Sequence, residues 1–303
     1  MARLTTKKRS MFARDPLSDK IVLIINYVLL TIFLIIILYP LLFVIFASVS
    51  AGTVTMTIAL IPKQFSTAGY EAVLKYKDIW TGYGNSLLYM VCGTAISLAM
   101  TVLMAYPLSR SDFAARGVIM TLCMITMYFS GGLIPTFLVV QKLHMLNTRW
   151  AVLLPGCMSV YNMIVMRTYF KTSIPGELLE SSQLDGCGNI RYMISILLPL
   201  SGPILAVIGL FYAVGIWNAY FDAMIYKSTK REYYPLSLFL REILILNTQD
   251  IDQLDVNTLM ELEERRNVMK YAVIVVSSLP VMIIYPFVQR FFVKGVMIGA
   301  VKG

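Results

Sequence analysis

The residues best suited to act together lie in one polar segment, which reads Glu180-Ser-Ser-Gln-Leu-Asp-Gly186 and is followed nine residues later by Ile196-Leu-Leu-Pro199. The segment lies between two strongly apolar stretches. A glycine directly after Asp185 suits a turn between two short helices. The chemistry this favours is the docking of a soluble partner, not a bond-breaking reaction.

Groups that catalyse reactions are scarce. His144 is the only histidine, which argues against a Ser-His-Asp triad and leaves no histidine-rich metal site. The four cysteines, at positions 92, 123, 157 and 187, form no CxxC pair and are interpreted as small apolar residues. No Gly-Lys dipeptide occurs, so the chain has no P-loop and cannot itself be an ATPase. We therefore expect no catalytic residue, no metal site and no cofactor.

The composition is that of a membrane protein. Hydrophobic residues make up 58% of the chain and charged residues 14%, whereas soluble domains carry about 25% charged residues. The net charge of +9 could suggest nucleic acid. However, the basic residues are scattered around apolar segments, as Lys and Arg are at the cytoplasmic ends of membrane spans. We predict no nucleic-acid partner.

A bilayer crossing requires about 20 apolar residues, and a helix satisfies its own backbone in lipid. The sequence predicts an all-α membrane protein whose transmembrane domain covers 21–289. Its six transmembrane helices are predicted near residues 21–47, 83–107, 117–140, 150–170, 202–226 and 269–289.

The orientation rests mainly on the N-terminal tail, 1–20, which holds six Lys and Arg residues. Because basic residues collect on the cytoplasmic side, this tail predicts an N-in, C-in topology. The loop 171–201 and the tail 290–303 are then cytoplasmic, and the loop 227–268 is external. The predicted localisation is the cell membrane, which the chain would cross several times.

The third predicted span is interrupted by Ser130-Gly-Gly-Leu-Ile-Pro135. Membranes tolerate the backbone groups freed by glycine and proline only where protein or a water-filled cavity receives them. The interruption is therefore either an outer gate or part of a translocation path, or else a helix end packed against its neighbours.

The loop 171–201 alternates charged residues with apolar ones in an amphipathic helical pattern. Pro175 suits the start of a helix, because its missing donor costs nothing there. A short helical hairpin of this kind could dock a soluble partner. The alternative is an interfacial helix lying on the lipid, but such helices favour a lysine-rich polar face, and this loop has more acids than bases.

The spacing in Glu180–Pro199 closely resembles the EAA loop of ABC-importer permeases of type I, in the carbohydrate-uptake or maltose-type class. The resemblance covers almost the whole chain, and the C-terminal residues resemble the complex-polysaccharide or oligosaccharide branch. Ser181, Ser182 and Cys187 stand where the family has alanines, and all are small. Further family marks are Asn85-Ser-Leu, Ala105-Tyr-Pro-Leu-Ser-Arg110, Gly131-Gly-Leu-Ile-Pro135, Ile174-Pro-Gly-Glu177, Trp217-Asn218 and the tail Val293–Gly303.

The resemblance implies a set of ATPase-coupling residues: Glu180, Ser181, Ser182, Asp185, Gly186, Ile196, Leu198 and Pro199. Glu180 would pair with a basic residue on the ATPase, and Ile196, Leu198 and Pro199 would seat the second helix against the spans. The implied partners are a second permease subunit, a cytoplasmic ATPase dimer, an external substrate-binding protein and a sugar. The C-terminal tail would enter the ATPase interface, or would be a basic end at the lipid headgroups.

Candidate residues of the substrate pathway are aromatic, amide and acidic: Tyr128, Tyr161, Asn162, Trp217, Asn218, Tyr220 and Asp222. Aromatic faces and amides suit sugars, but Trp and Tyr also form interfacial belts. In the external loop, Tyr233–Arg241 predicts an apolar-faced helix, followed by an acidic stretch at 250–264. The loop would dock a binding protein, or would be a solvated loop with a helix resting on the membrane.

The rival hypothesis is a secondary transporter, which would also have spans and interruptions. Such a transporter should show an internal repeat and paired charges inside the membrane, and the sequence shows neither. A membrane-embedded enzyme should offer clustered acids, histidines or an activated nucleophile. The sequence therefore favours an importer subunit that moves an oligosaccharide or polysaccharide fragment by alternating access.

Overall fold

A computed structural model of the chain describes residues 17–50, 65–226, 229–243, 269–286 and 289. Most of the predicted N-terminal tail, most of the predicted external loop 227–268 with its acidic stretch, and the tail 290–303 lie outside the described residues. Within them the chain is helical, apart from turns and an isolated bridge between Ser50 and Phe65.

The described chain contains fourteen α-helices, of which α1 and α3 are the longest, with 32 and 33 residues. In chain order the helices are α1 (Leu17–Ser48), α2 (Ala68–Lys75), α3 (Lys77–Ser109), α4 (Arg116–Tyr128), α5 (Leu133–Lys142), α6 (Trp150–Leu153), α7 (Val160–Ser173), α8 (Gly176–Leu184), α9 (Asn189–Tyr192), α10 (Leu198–Leu200), α11 (Gly202–Asn218), α12 (Phe221–Tyr226) and α13 (Leu236–Arg241), then α14 (Met269–Pro286). A π-helix, Met193–Leu197, joins α9 to α10, and a 3-10 turn, Arg231–Tyr233, precedes α13.

Three of the described helices, α1, α3 and α14, are long and apolar enough to cross a bilayer alone. Two bent pairs also qualify if each is counted as one span. These are α4 with α5, bent by 115°, and residues 189–200 with α11, bent by 84°. The chain is thus an α-helical membrane protein, while the number of crossings and their direction stay predictions.

The predicted span 150–170 divides into α6 and α7, because Pro155 and Gly156 stop the helix between them. Gly156 has a φ of +68°, which a side chain would disfavour. Ser159 then caps α7 by accepting a hydrogen bond from the Asn162 N–H at 3.4 Å. The predicted span 202–226 is similarly interrupted, since extended backbone at Ala219 separates α11 from α12.

The glycines and the proline after Ser130 lie at the bend of 115° between α4 and α5. α4 ends at Tyr128 and α5 begins at Leu133, with Gly132 at a φ of +86° between them. The Gly132 N–H donates a hydrogen bond to the Ser130 hydroxyl at 3.3 Å, which satisfies one of the backbone groups that the interruption frees.

The central element is α3, which packs along α11 and α7. The main core cluster lies between these three helices and includes Ala105, Met163, Met166 and Ile208, all almost completely buried. Thr101 adds a polar contact, because its hydroxyl lies 2.7 Å from the Tyr212 hydroxyl. By contrast, the most apolar stretch of α1 contains no buried residue. Such a surface requires lipid or protein around it.

The segment 229–243, which we call the strap, is fastened across α3 near its Lys77 end. The Asn85 amide donates hydrogen bonds to the Glu232 and Tyr234 carbonyl oxygens at 2.8 and 3.0 Å, and the Ser86 hydroxyl accepts from the Leu236 N–H at 2.8 Å. The helix predicted within Tyr233–Arg241 is present as α13. Its apolar face packs on α3, burying Leu236, Leu238 and Phe239.

Gly82 allows α13 to lie this close to α3. A Cβ at Gly82 would stand 2.6 Å from Phe239 Cδ2 and 3.1 Å from Leu236 Cα, whereas a Cβ at Gly84 would meet nothing within 4 Å. We expect Gly82→Ala to lower the free energy of unfolding by about 1–3 kcal/mol through overpacking. The matched control Gly84→Ala should leave it unchanged or raise it by up to about 1 kcal/mol, since alanine favours helix. Thermal unfolding in detergent, followed by circular dichroism, measures both, and equal midpoints would contradict the packing of α13.

Candidate functional site

The predicted helical hairpin in the loop 171–201 is present as α8 and α9, and we call residues 176–192 the hairpin. α8 begins directly after Pro175, whose φ of −59° suits a helix start. Its inward side carries Leu179 and Ser182. Ser182 is buried, and its hydroxyl donates a hydrogen bond to the Leu179 carbonyl oxygen at 2.7 Å. A small side chain at this position lets α8 lie close on the core.

The outward side of α8 combines acids with an exposed leucine. Glu177, Glu180 and Leu184 recur at helical spacing and are all exposed, Leu184 by 90%. Among the described residues, the Glu180 carboxylate makes no ion pair or side-chain hydrogen bond. Ser181 and Asp185 are exposed as well. An acidic face around a solvated leucine suits a partner with basic groups and an apolar pocket.

Gly186 ends α8 in the left-handed conformation, with a φ of +72°. The Gly186 N–H donates to the Gln183 carbonyl oxygen at 3.0 Å, and the Cys187 N–H donates to the Ser182 carbonyl oxygen at 2.8 Å. This pair of bonds is a Schellman motif, which closes a helix where a glycine follows it. The turn predicted from the sequence at Gly186 therefore has a defined geometry.

The second half of the loop is anchored in the main core cluster. Ile196 and Leu198 are half-buried and Pro199 is exposed, whereas Leu197 between them is almost fully buried. The side chain that seats this segment most deeply is therefore Leu197, which the sequence analysis did not single out. The sequence could not show which residue of the apolar run Ile196–Pro199 points inward. The reason is that the π-helix Met193–Leu197 shifts the helical register of the side chains at this point.

Arg110, at the end of α3, reaches across to the hairpin. Its guanidinium donates hydrogen bonds to both carboxylate oxygens of Asp112, at 2.8 and 2.5 Å, to the Tyr106 hydroxyl at 2.9 Å and to Asn189 Oδ1. The Asp112 carboxylate raises the pKa of Arg110, and the hydrogen bond from Arg110 lowers the pKa of Asp112. Both groups therefore stay charged at neutral pH. In the sequence, Arg110 is the last residue of the motif Ala105-Tyr-Pro-Leu-Ser-Arg110, and the sequence alone assigned it no role.

Apart from the hairpin, the structure contains a cleft of about 530 Å³ where α11, α13 and α14 meet. It brings together three of the predicted pathway residues: Trp217, Asn218 and Tyr220. Two further groups, missed in the sequence, also line it. The first is Arg241, whose guanidinium lies over the Tyr220 ring, 5.7 Å from the ring centroid. The second is Ser277, whose carbonyl oxygen accepts a hydrogen bond from the Trp217 indole N–H at 3.1 Å.

The other predicted pathway residues lie apart from the lining of that cleft. Tyr128 is highly exposed at the end of α4, and Tyr161 is exposed on α7. Asn162 is buried in the first turn of α7, and Asp222 is half-buried in the first turn of α12. The sequence could not show which of these residues share a cleft, because seven helices, α5 to α11, separate Tyr128 from Asp222.

Comparisons with known proteins agree on one family, although no family model matches the chain. Protein LplC of Bacillus subtilis is 39% identical over 244 residues, which are 80% of this chain and 81% of that protein. The polygalacturonan/rhamnogalacturonan transport system permease protein YtcP of the same organism is 38% identical over 282 residues, 91% of this chain and 96% of that protein. The chain belongs to the ABC-transporter permease family.

The fold of this permease agrees with a solved structure. A bacterial ABC transporter involved in the import of the acidic polysaccharide alginate matches it with a TM-score of 0.81 and 33% identity, over 92% of this chain and 99% of the matched chain. The permease is thus a multi-pass membrane protein, and its relatives are permease subunits of ABC transporters, which are not themselves enzymes. These likenesses do not favour the rival hypothesis of a secondary transporter.

Proposed function

We propose that this permease is one membrane subunit of an importer that takes up an oligosaccharide, and that a separate ATPase docks on the hairpin. The observation that carries the proposal is the outward face of α8, where Glu177, Glu180 and Leu184 are solvated although the opposite face is anchored in the core. This face supports the proposal because its acids and its leucine are available to a partner that offers basic groups and an apolar pocket.

The proposed mechanism is alternating access. ATP binding closes the ATPase dimer and moves the hairpin, and the helices packed on it move as a rigid body. The proposed orientation places the hairpin in the cytoplasm and the strap outside, where a binding protein would deliver the sugar to this subunit and a second permease. In this proposal the bend between α4 and α5 serves as an outer gate or as part of the path. The proposed contact of the tail 290–303 with the ATPase concerns residues outside the described part of the chain.

The proposed substrate is an acidic oligosaccharide. The names of YtcP and of the alginate transporter refer to acidic polysaccharides. The cleft beside α11 has matching groups, because the exposed Tyr220 offers an aromatic ring and Arg241 offers a cation, whereas Trp217 is almost fully buried. A planar guanidinium binds a carboxylate through two parallel hydrogen bonds.

We expect Arg241→Gln to lower uptake of oligogalacturonate or alginate oligosaccharide by at least about tenfold, because a hydrogen bond to a charged group contributes about 1.5–3 kcal/mol. Arg241→Lys keeps the charge but not the paired geometry, so it should lose less. Uptake of each labelled sugar into cells measures the effect. Equal uptake by all three proteins would remove Arg241 from the proposed site.

The decisive experiment on the function is purification of a tagged copy from its native cells in mild detergent, followed by mass spectrometry. We expect a second permease and an ATPase with a P-loop to co-purify. Deletion of the gene should then abolish growth on fragments of polygalacturonan, rhamnogalacturonan or alginate, with maltotriose as a neutral control. A chain that purifies alone and whose deletion changes no uptake would overturn the proposal.

A further inference from the structure

We propose that Arg110 and Arg167 form a latch that fastens both ends of the hairpin to the end of α3. In this proposal Arg110 is a positioning residue, which transmits the movement of the hairpin to α3. The inference rests on the proposed function, since the movement comes from the docked ATPase.

Arg167 forms the half of the latch that precedes α8. It lies on α7, which leads into α8 through only Ile174 and Pro175. Its Nε donates a hydrogen bond to the Leu108 carbonyl oxygen at 2.8 Å. The last carbonyls of a helix lack partners within the helix, so this bond ties α7 to the terminus of α3.

Arg110 forms the half that follows α8. Its side chain is only 10% exposed, and Asp112 holds it from one side with two hydrogen bonds. The guanidinium is thereby oriented towards the Tyr106 hydroxyl and towards Asn189, the first residue of α9. Because charge-assisted bonds from a planar guanidinium are directional, α9 cannot slide along α3 without breaking them.

Apolar packing joins α9 to α3 beside the latch, because Tyr106 and Tyr192 lie together in the main core cluster with their ring centroids 6.2 Å apart. The packing is incomplete at the start of α9. A cleft of about 360 Å³ opens between the end of α3 and α9, lined by Leu103, Tyr106 and Phe113 on one side and Ile190 and Met193 on the other. Where side chains do not interdigitate, apolar contact transmits little displacement. The polar contacts of Arg110 cross this cleft, so in this proposal they fix the start of α9 to α3 where apolar packing leaves space.

The length and packing of α3 determine where the movement goes. At about 1.5 Å per residue its 33 residues span about 50 Å. It packs on α11 and α7 along its length and holds the strap through Asn85 and Ser86 near its other end. A shift imposed at Arg110 therefore reaches the strap.

Two substitutions at Asn189 test the latch in the complete complex of both permeases and the ATPase. Asn189→Ala removes the acceptor, whereas Asn189→Asp keeps an acceptor and adds a charge that favours Arg110. A reporter cysteine replaces Thr81, which is exposed at the far end of α3, in a chain whose four cysteines are changed to serine. The labelling rate of this cysteine by a maleimide dye is compared without nucleotide and with ATP plus orthovanadate.

We expect nucleotide to change the labelling rate in the parent and in Asn189→Asp, and Asn189→Ala to reduce that change about tenfold while the ATPase still co-purifies. Arg110→Lys should give an intermediate loss, since one ammonium group cannot hold three partners in fixed geometry. The latch would be overturned if the labelling rate of the parent did not respond to nucleotide. It would also be overturned if Asn189→Ala responded normally or lost the ATPase, or if Asn189→Asp behaved like Asn189→Ala. Failure of the ATPase to co-purify even with the parent would instead overturn the proposed function.

Discussion

Glu180→Ala is expected to abolish the ATP hydrolysis that substrate stimulates, while the permease stays inserted and abundant. Glu180 is exposed and has no ion-pair partner among the described residues, so its loss removes nothing from the fold. If its carboxylate pairs with a basic group at the ATPase interface, truncation costs about 2–5 kcal/mol of docking free energy. That corresponds to at least about a 30-fold loss of affinity. Hydrolysis by the reconstituted complex, with and without binding protein and sugar, measures the effect.

The control for this prediction is Glu71→Ala, which removes an exposed glutamate from α2, outside the hairpin. We expect its hydrolysis to equal that of the parent. Glu180→Gln keeps the size but not the charge, so it separates an ion pair from simple packing. Normal stimulated hydrolysis and normal uptake by Glu180→Ala would refute the assignment of this residue to coupling.

Gly186→Val is expected to disorder the end of α8 and release the ATPase from the complex. At a φ of +72° any side chain costs about 1–2 kcal/mol, and a β-branched one costs more. The cost is conformational, since a Cβ there would meet nothing within 4 Å. Relief of the strain requires breaking the hydrogen bonds from Gly186 and Cys187 that close the helix. Co-purification of the ATPase with the tagged permease measures the result, and we expect at least a tenfold loss, about 1.4 kcal/mol of docking free energy.

Gly188 provides the matched control two residues away. Its φ of −71° and ψ of 158° are open to any residue, and a Cβ there also meets nothing within 4 Å. Gly188→Val should therefore keep the ATPase bound. If both variants retain it equally, the left-handed turn is not required for docking; if both lose it, the hairpin tolerates no bulk and the conformational argument fails.

The sequence predicted the features that depend on short stretches of chain. Helical spans follow from apolar length, and the start of α8 follows from Pro175. The turn at Gly186 and the interruption after Ser130 follow from glycine and proline, whose backbone preferences act within a few residues. Family membership could also be predicted, because the motif Glu180–Pro199 is a linear pattern. The division of 150–170 at Pro155 and Gly156 could have been predicted by the same local rules.

The tertiary structure alone decided which side chains meet across the fold. The contacts of Arg110 with Asn189 and of Asn85 with the strap join residues that are 79 and about 150 positions apart. Likewise, Arg241 joins Trp217 and Tyr220 in one cleft only because α13 packs back against α3 and α12. Local preferences determine where helices begin, bend and end. The faces that they present to one another depend on how the helices pack, and no short stretch of sequence contains that information.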